Sequence, residues 1–67
     1  MANFLDKNGI ELYVGVDVDV PPPTSDDLWN FEFTGTVVKI DKENNYAIVE
    51  DGDGGCWCVE FNRLEII

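Results

Sequence analysis

Residues 11–20 alternate between apolar and polar side chains with a period of two, and this alternation constrains the fold more than any other feature. The apolar positions are Leu12, Val14, Val16, Val18 and Val20. The intervening positions carry acidic residues, one glycine and Tyr13. Period two with β-branched residues is typical of a half-buried strand, because a helix would spread these valines around its circumference. Residues 11–20 are therefore predicted to form the first strand.

Four further extended segments follow, and one turn between them carries a strong signal. Their predicted bounds are residues 32–41, 46–50, 55–61 and 65–67. The two Asp-Gly pairs of residues 51–54 tolerate the positive φ of tight hairpins, so the third and fourth strands should be antiparallel neighbours. Residues 62–64 are short enough to form a single 3₁₀ turn before the last strand.

Two segments connect or precede these strands without forming part of them. The three prolines at residues 21–23 end the first strand, and residues 21–30 are predicted to be a long ordered Pro/Asp-rich loop anchored by aromatics. Residues 1–10 are predicted to be an N-terminal arm that turns at Asn8-Gly9. Within that arm Phe4 and Leu5 are expected to cover one end of the folded sheet.

The length of the chain favours one small closed sheet. A chain of 67 residues is expected to form a single domain over residues 1–67, burying about 60% of its unfolded surface. Five short strands leave exposed edges in a flat sheet, so partial closure into a barrel is expected. The layout of residues 12–67 resembles SH3-like small barrels. We therefore predict an all-β, five-stranded SH3-like small barrel with a long loop after its first strand.

A second resemblance lies in residues 35–40, 44–45 and 47–50, which read GTVVKI, NN and AIVE. These segments resemble the KOW motif of ribosomal and transcription-elongation proteins, in which a glycine opens a strand and valines fill a barrel. The resemblance implies an association with nucleic acid or with a transcription or translation complex. Residues 28–37 and 49–54 are also similar to short acidic bacterial proteins of unassigned function, which supports the fold.

The charge of the chain restricts its partners. Fourteen acidic residues against four basic ones, with no histidine, give a net charge of −10. Binding to phosphate backbones needs clustered Lys or Arg, so direct contact with nucleic acid and with anionic membranes is disfavoured. Positively charged partners or plain solubility remain, and an acidic chain can also mimic a nucleic acid. We therefore expect a protein or peptide partner of basic character.

Two observations bear on where the protein acts. No run of apolar residues exceeds four, so no segment is predicted to span a bilayer, and no membrane partner is expected. The first residues combine neither a basic start nor an apolar stretch, so no secretion signal is predicted. The expected location is the cytoplasm.

The fourth predicted strand carries both cysteines on one face. Alternation gives it a core face with Trp57, Val59 and Phe61, joined by Phe33, and an outer face with Cys56, Cys58 and Glu60. A disulfide between residues one position apart closes a very small ring, so reduced thiols are predicted. Zinc needs about four ligands, which two cysteines without histidine do not supply. No metal site and no cofactor are predicted.

The remaining polar motifs do not predict catalysis. Residues 51–55 resemble the opening of a calcium loop, but the required glycine and glutamate positions hold Cys56 and Asn62. General acid–base catalysis by carboxylates needs a raised pKa in a dry cleft, and a chain this short has little material to wall one. No histidine base is present for a nucleophile. The protein is therefore predicted not to be an enzyme, and no catalytic residue is assigned.

Aromatic residues outside the predicted core give the candidate binding site. Surfaces beside the corresponding loop of SH3-like barrels often bind extended peptides through shallow aromatic grooves. The predicted groove combines aromatic platforms at Tyr13, Trp29 and Phe31 with an acidic rim at Asp26, Asp27 and Glu32. Such a surface suits a peptide carrying Lys or Arg. The alternative, favoured by the shortage of core material, is that Trp29 and Phe31 fold back over the barrel as loop anchors.

The function predicted from these observations is a noncatalytic binding or adaptor module for a protein or basic peptide. The competing interpretation is the KOW-like module, for which a continuous positive patch of Lys39, Lys42 and Arg63 would indicate direct RNA contact. A third class is homo-oligomerisation through the edge formed by Ile66 and Ile67, although a monomer is the preferred expectation.

Overall fold

The structure is a computed structural model that describes residues 4–67, and it contains five strands in one antiparallel sheet. The elements are β1 (Asp17–Val20), β2 (Phe33–Asp41), β3 (Tyr46–Glu50), β4 (Cys56–Glu60), a 3₁₀ turn (Phe61–Arg63) and β5 (Glu65–Ile66). The strand order is β4-β3-β2-β1-β5. The predicted all-β class is confirmed. Across residues 4–67 no helix is long and apolar enough to cross a membrane.

Strand β2 is the longest strand and is shared between two neighbours. Residues 33–36 pair with β1, from Val20↔Phe33 to Asp17↔Thr36, and the pairing with β3 runs from Thr36↔Glu50 to Asp41↔Tyr46. A register shift lies between Val37 and Lys39, where a bulge bends the strand. Within residues 4–67 no pairing joins β4 to β5, so the hydrogen-bonded sheet is open.

The core is formed by the alternating inner positions of the strands together with residues from the connections. The buried hydrophobic residues are Leu12, Val16, Val18, Val20, Trp29, Val37, Ala47, Val49, Val59, Phe61 and Leu64. Phe33 and Trp57, expected in the core, are only partly buried and pack against it. The outer positions of β4 are exposed or half-buried, as its alternation predicts.

The first strand is shorter than the predicted residues 11–20. The amide of Val16 donates to the carbonyl of Tyr13 at 3.1 Å, and Gly15 adopts a φ of +99°. This turn breaks the extended path before β1, because a positive φ is incompatible with a continuous strand. As a result Val14 is 61% exposed instead of facing the core, whereas Leu12 is buried.

The other boundaries lie close to the predicted ones. Strand β3 has the predicted bounds, and the hairpin at residues 51–55 makes β3 and β4 antiparallel neighbours as expected. Strand β4 is one residue shorter than predicted at each end. At its C-terminal end, the 3₁₀ turn begins at Phe61 instead of residue 62. Strand β2 starts one residue later than predicted, and β5 ends at Ile66.

The N-terminal arm turns at Asn8-Gly9, where Gly9 has a φ of +81°, and a bridge joins Leu5 to Glu11. Its residue Phe4 packs partly against the core, whereas Leu5 is 39% exposed. The expectation for residues 1–3 of the arm lies outside the described residues.

The arm also lines the outer side of β5. The amide of Lys7 donates to the carbonyl of Leu64 at 2.9 Å. The amide of Ile66 donates to the carboxylate of Asp6 at 3.0 Å. The edge at Ile66 and Ile67, considered above for self-association, is therefore partly occupied by the arm.

Candidate functional site

The long loop between β1 and β2 is held down by Trp29, which is only 2% exposed. Its indole N–H donates to the carbonyl of Pro21 at 2.8 Å, which ties the two ends of the loop together. The guanidinium carbon of Arg63 lies over the indole ring, 5.0 Å from its centroid. Trp29 thus acts as a loop anchor, and the expectation that it forms an exposed binding platform is corrected.

Asp27 also stabilises the loop, and it does not form part of an open acidic rim. Its side chain is 5% exposed and accepts hydrogen bonds from the amide of Thr24 at 2.7 Å and from Arg63 Nη1 at 2.9 Å. These donors, the Thr24 amide foremost, lower the pKa of Asp27 and keep it ionised. Since its charge is satisfied internally, Asp27 contributes little attraction to a partner.

The four other predicted site residues are exposed but do not converge on one groove. Tyr13 is 59% exposed in the turn before β1, and Phe31 is 46% exposed near the start of β2. No aromatic contact joins Tyr13 to Phe31 within residues 4–67. Asp26 and Glu32 are exposed acids of the loop. The six predicted residues therefore divide among different parts of the surface.

Phe31 belongs to an aromatic cluster with Phe33 and Trp57. Its ring centroid lies 5.5 Å from that of Phe33 and 5.4 Å from that of Trp57, the latter in an edge-to-face arrangement. The indole of Trp57 donates to Asp51 Oδ2 at 2.8 Å, and this bond contributes most to lowering the pKa of Asp51. The aromatic cluster is therefore fixed in place, and Phe31 remains partly exposed to solvent.

A groove lies beside the long loop, with a volume of about 280 Å³. We call it the loop groove; its lining residues are Asp26, Asp27, Leu28, Trp29, Tyr46, Cys58 and Glu60. Leu28 is 72% exposed, and both Asp26 and Glu60 are exposed, so the groove offers apolar surface next to two free carboxylates. Carboxylates beside apolar surface attract cationic side chains and repel anionic ones.

Sequence reasoning missed two side chains of the loop groove, Tyr46 and Glu60. They are direct cross-strand partners on the outer faces of β3 and β4. The signal was present in the hairpin at residues 51–55, because its register pairs these two residues. Tyr46 is half-buried, and the carboxylate of Asp41 raises the pKa of its hydroxyl by hydrogen bonding and by its charge. Tyr46 therefore stays neutral.

Three of the four basic residues each contact a different neighbour. Arg63 is paired with Asp27, and Lys7 Nζ lies 3.5 Å from the carboxylate of Glu65. Lys42 Nζ lies 4.8 Å from the ring centroid of Phe4. These cations are each engaged by a different neighbour, so the field around the molecule is dominated by its acids.

The two thiols are free, with Cys56 exposed and Cys58 half-buried on the outer face of β4. Within the described residues, no group of three or more Asp, Glu and Cys side chains is arranged to hold a metal ion.

Comparison of the chain with protein-family models, with curated proteins and with solved structures gives no match in any of the three.

Proposed function

We propose that the protein is a noncatalytic binding module that recognises an extended basic peptide of a partner protein through the loop groove. The observation that carries the proposal is the juxtaposition of exposed Leu28 with the free carboxylates of Asp26 and Glu60. Apolar contact contributes affinity, and the carboxylates select a cationic side chain and reject an anionic one. The aromatic cluster offers Phe31 as additional apolar contact surface.

The finer fold assignment, an SH3-like small barrel, is part of the same proposal. It is supported by the strand order, in which the last strand pairs with the first across a preceding 3₁₀ turn. It is also supported by Gly35, which allows β2 and β3 to approach closely and the sheet to curl. In such barrels the surface beside the loop after the first strand often binds peptides, which is where the loop groove lies.

The proposal is tested with a blocked hexapeptide of alternating arginine and valine, titrated calorimetrically. The double variant Asp26→Lys and Glu60→Lys is expected to weaken binding by about tenfold or more, because attraction becomes repulsion. The control is Asp53→Lys with Glu43→Lys, which makes the same charge change at exposed positions outside the groove lining. Equal losses in both double variants would show that only net charge matters and would contradict the proposal.

The second candidate is a KOW-like module that acts within a nucleoprotein complex. It is favoured by the β2–β3 hairpin, in which Gly35 approaches the neighbouring strand and Val37, Ala47 and Val49 are buried. With three of its four cations engaged by separate neighbours and a net charge of −10, such a module would act through protein contacts or as an acidic mimic. Titration with single-stranded RNA at two salt concentrations tests the direct form of this candidate, since direct RNA binding would weaken steeply with salt. The cytoplasmic location stays a prediction.

A further inference from the structure

The two ends of the sheet differ in how their backbone groups are satisfied. At the β5 end, the N-terminal arm engages Leu64 through the amide of Lys7 and engages the amide of Ile66 through Asp6. Among residues 4–67, strand β4 at the other end pairs only with β3. In the described part of the chain, no group forms a hydrogen bond with the outer edge of β4. An unpaired edge of this kind is a template for strand addition.

The hydrogen bonds that flank the β3–β4 ladder identify which groups lie on that edge. The amide of Asp51 donates to Gly55 at 2.8 Å, and the amide of Phe61 donates to Asn45 at 3.1 Å. Bonded and non-bonded pairs alternate along an antiparallel ladder, so every second residue of β4 directs its backbone away from β3. The edge-facing N–H and C=O groups are those of Cys56, Cys58 and Glu60.

Different surfaces flank the edge on the two faces of the sheet. The loop groove borders the edge through Cys58 and Glu60, which are outer-face residues of β4, and through Asp26 of the loop. On the inner face Trp57 packs edge-to-face on Phe31, so aromatic surface borders that side. Side chains of an added strand would alternate between these surfaces. The acidic side suits lysine or arginine, and the aromatic side suits an apolar residue.

We propose that β4 recruits an extended segment of a partner protein as an additional strand, in which basic and apolar residues alternate. The inference rests on the proposed function and specifies how the peptide is held, through main-chain hydrogen bonds along β4. Charge selects this occupant over a second copy of the chain, because each copy carries −10 and the copies repel.

The first experiment removes one edge-facing donor. Cys58→Pro deletes an N–H that forms no bond to β3, so the hairpin ladder is retained. The alternating arginine–valine hexapeptide is expected to bind this variant about tenfold more weakly than Cys58→Ala, which keeps the donor and loses the same thiol. Thermal unfolding of both variants checks that the fold is retained. Equal affinities of folded Cys58→Pro and Cys58→Ala would overturn strand addition.

The second experiment leaves the protein unchanged, so it does not depend on the proline variant folding. Two versions of the hexapeptide are prepared. One is methylated on the amide nitrogens of its arginines, and the other is methylated on the amide nitrogens of its valines. Strand addition predicts that one peptide loses about tenfold or more in affinity and the other changes much less, since only alternate amides face β4. Amide exchange of Cys56, Cys58 and Glu60 should also slow on binding the unmodified peptide.

The outcomes separate the two proposals. Peptide binding that is insensitive to methylation and to Cys58→Pro, yet is lost in Asp26→Lys/Glu60→Lys, keeps the loop groove and overturns strand addition. Absence of any peptide binding overturns both. Light scattering that reveals a dimer which Cys58→Pro dissociates would assign the edge to a second copy and would equally overturn the peptide as its occupant.

Discussion

Asp6 is a buried carboxylate, 4% exposed, whose oxygens accept three backbone hydrogen bonds. Asp6 Oδ1 accepts from the amides of Asn8 at 2.9 Å and Ile10 at 2.8 Å, and Oδ2 accepts from Ile66 at 3.0 Å. Burial alone would raise the pKa of Asp6, but these amides, with Ile66 foremost, outweigh it and lower the pKa. One side chain thus shapes the turn of the arm and joins the arm to the last strand.

Replacing this carboxylate by an amide is expected to destabilise the protein. In Asp6→Asn, the carbonyl oxygen can accept the two bonds of Oδ1, but the amide nitrogen then faces the N–H of Ile66, and two donors oppose each other. The expected loss is about 2 kcal/mol in the free energy of unfolding, measured by urea denaturation. Asp53→Asn is the control, since its exposed carboxylate accepts no hydrogen bond within residues 4–67, and it should change stability by less than about 0.5 kcal/mol.

The lowered pKa of Asp6 also predicts how the stability of the protein depends on pH. Because the folded pKa of Asp6 lies below its ordinary value of 3.8, its ionised form stabilises the fold fully above that value. As pH falls through 3.8, the unfolded chain takes up a proton while folded Asp6 stays charged, so the contribution declines until the folded pKa is passed. Asp6→Asn should therefore lose less stability than the parent between pH 6 and pH 3. Parallel profiles would contradict the assignment.

At the scale of the strands, Gly35 allows β2 and β3 to approach each other. A Cβ at this position would overlap the carbonyl oxygen of Glu50 and lie 2.8 Å from Val49 Cγ1. Gly35→Ala is expected to cost about 2–3 kcal/mol, because backbone of the neighbouring strand must move. Gly52→Ala, whose Cβ would meet nothing within 4 Å, should change stability by less than about 1 kcal/mol. Urea denaturation measures both, and equal effects would refute the close approach.

Two adjacent residues of the long loop, one buried and one exposed, provide a second pair of variants whose effects on stability should differ. Trp29→Ala removes a 2%-exposed indole from the core and is expected to cost about 3–4 kcal/mol of stability. Leu28→Ala removes a side chain that is 72% exposed and should leave stability within about 0.5 kcal/mol. Thermal unfolding followed by circular dichroism measures the difference. A small effect of Trp29→Ala would mean that the loop is not anchored through this residue.

The strands were predictable where local patterning and turn chemistry agree. Residues 46–50 and 56–60 are short runs of strand-forming residues on the two sides of an Asp-Gly turn, so the position and the antiparallel pairing of these strands follow from local sequence. The first strand was predicted too long because alternation alone does not reveal that Gly15 takes a positive φ and turns the chain.

The candidate site was less predictable, because it depends on contacts between distant segments. Asp27 is neutralised by Arg63, thirty-six positions away, and that arginine also covers Trp29. The sequence leaves two roles open for Trp29, platform or anchor, and the choice between them depends on this long-range packing. The loop groove likewise combines Leu28 with Tyr46 and Glu60, which only the folded sheet brings together.

For the molecule as a whole, acidic self-repulsion is the dominant electrostatic effect. The net charge is −10, and strand pairing places Asp19 directly opposite Glu65, a like-charge pair that destabilises a sheet. Lys7 lies 3.5 Å from Glu65 and relieves only part of this repulsion, since both side chains are substantially exposed. The fold therefore carries an electrostatic cost that dissolved salt can reduce.

Stability is accordingly expected to rise with salt. The Debye length falls from about 30 Å in 10 mM salt to about 8 Å in 150 mM salt, which screens repulsion across most of the molecule. The free energy of unfolding should increase by about 1 kcal/mol over this range, measured by urea denaturation in sodium chloride and in potassium chloride. Asp19→Asn removes one member of the like-charge pair, so it should raise stability in 10 mM salt by a few tenths of a kcal/mol and flatten the salt dependence. A decrease of stability with salt would instead mean that attractive ion pairs, such as Arg63 with Asp27, outweigh the repulsion among the acids.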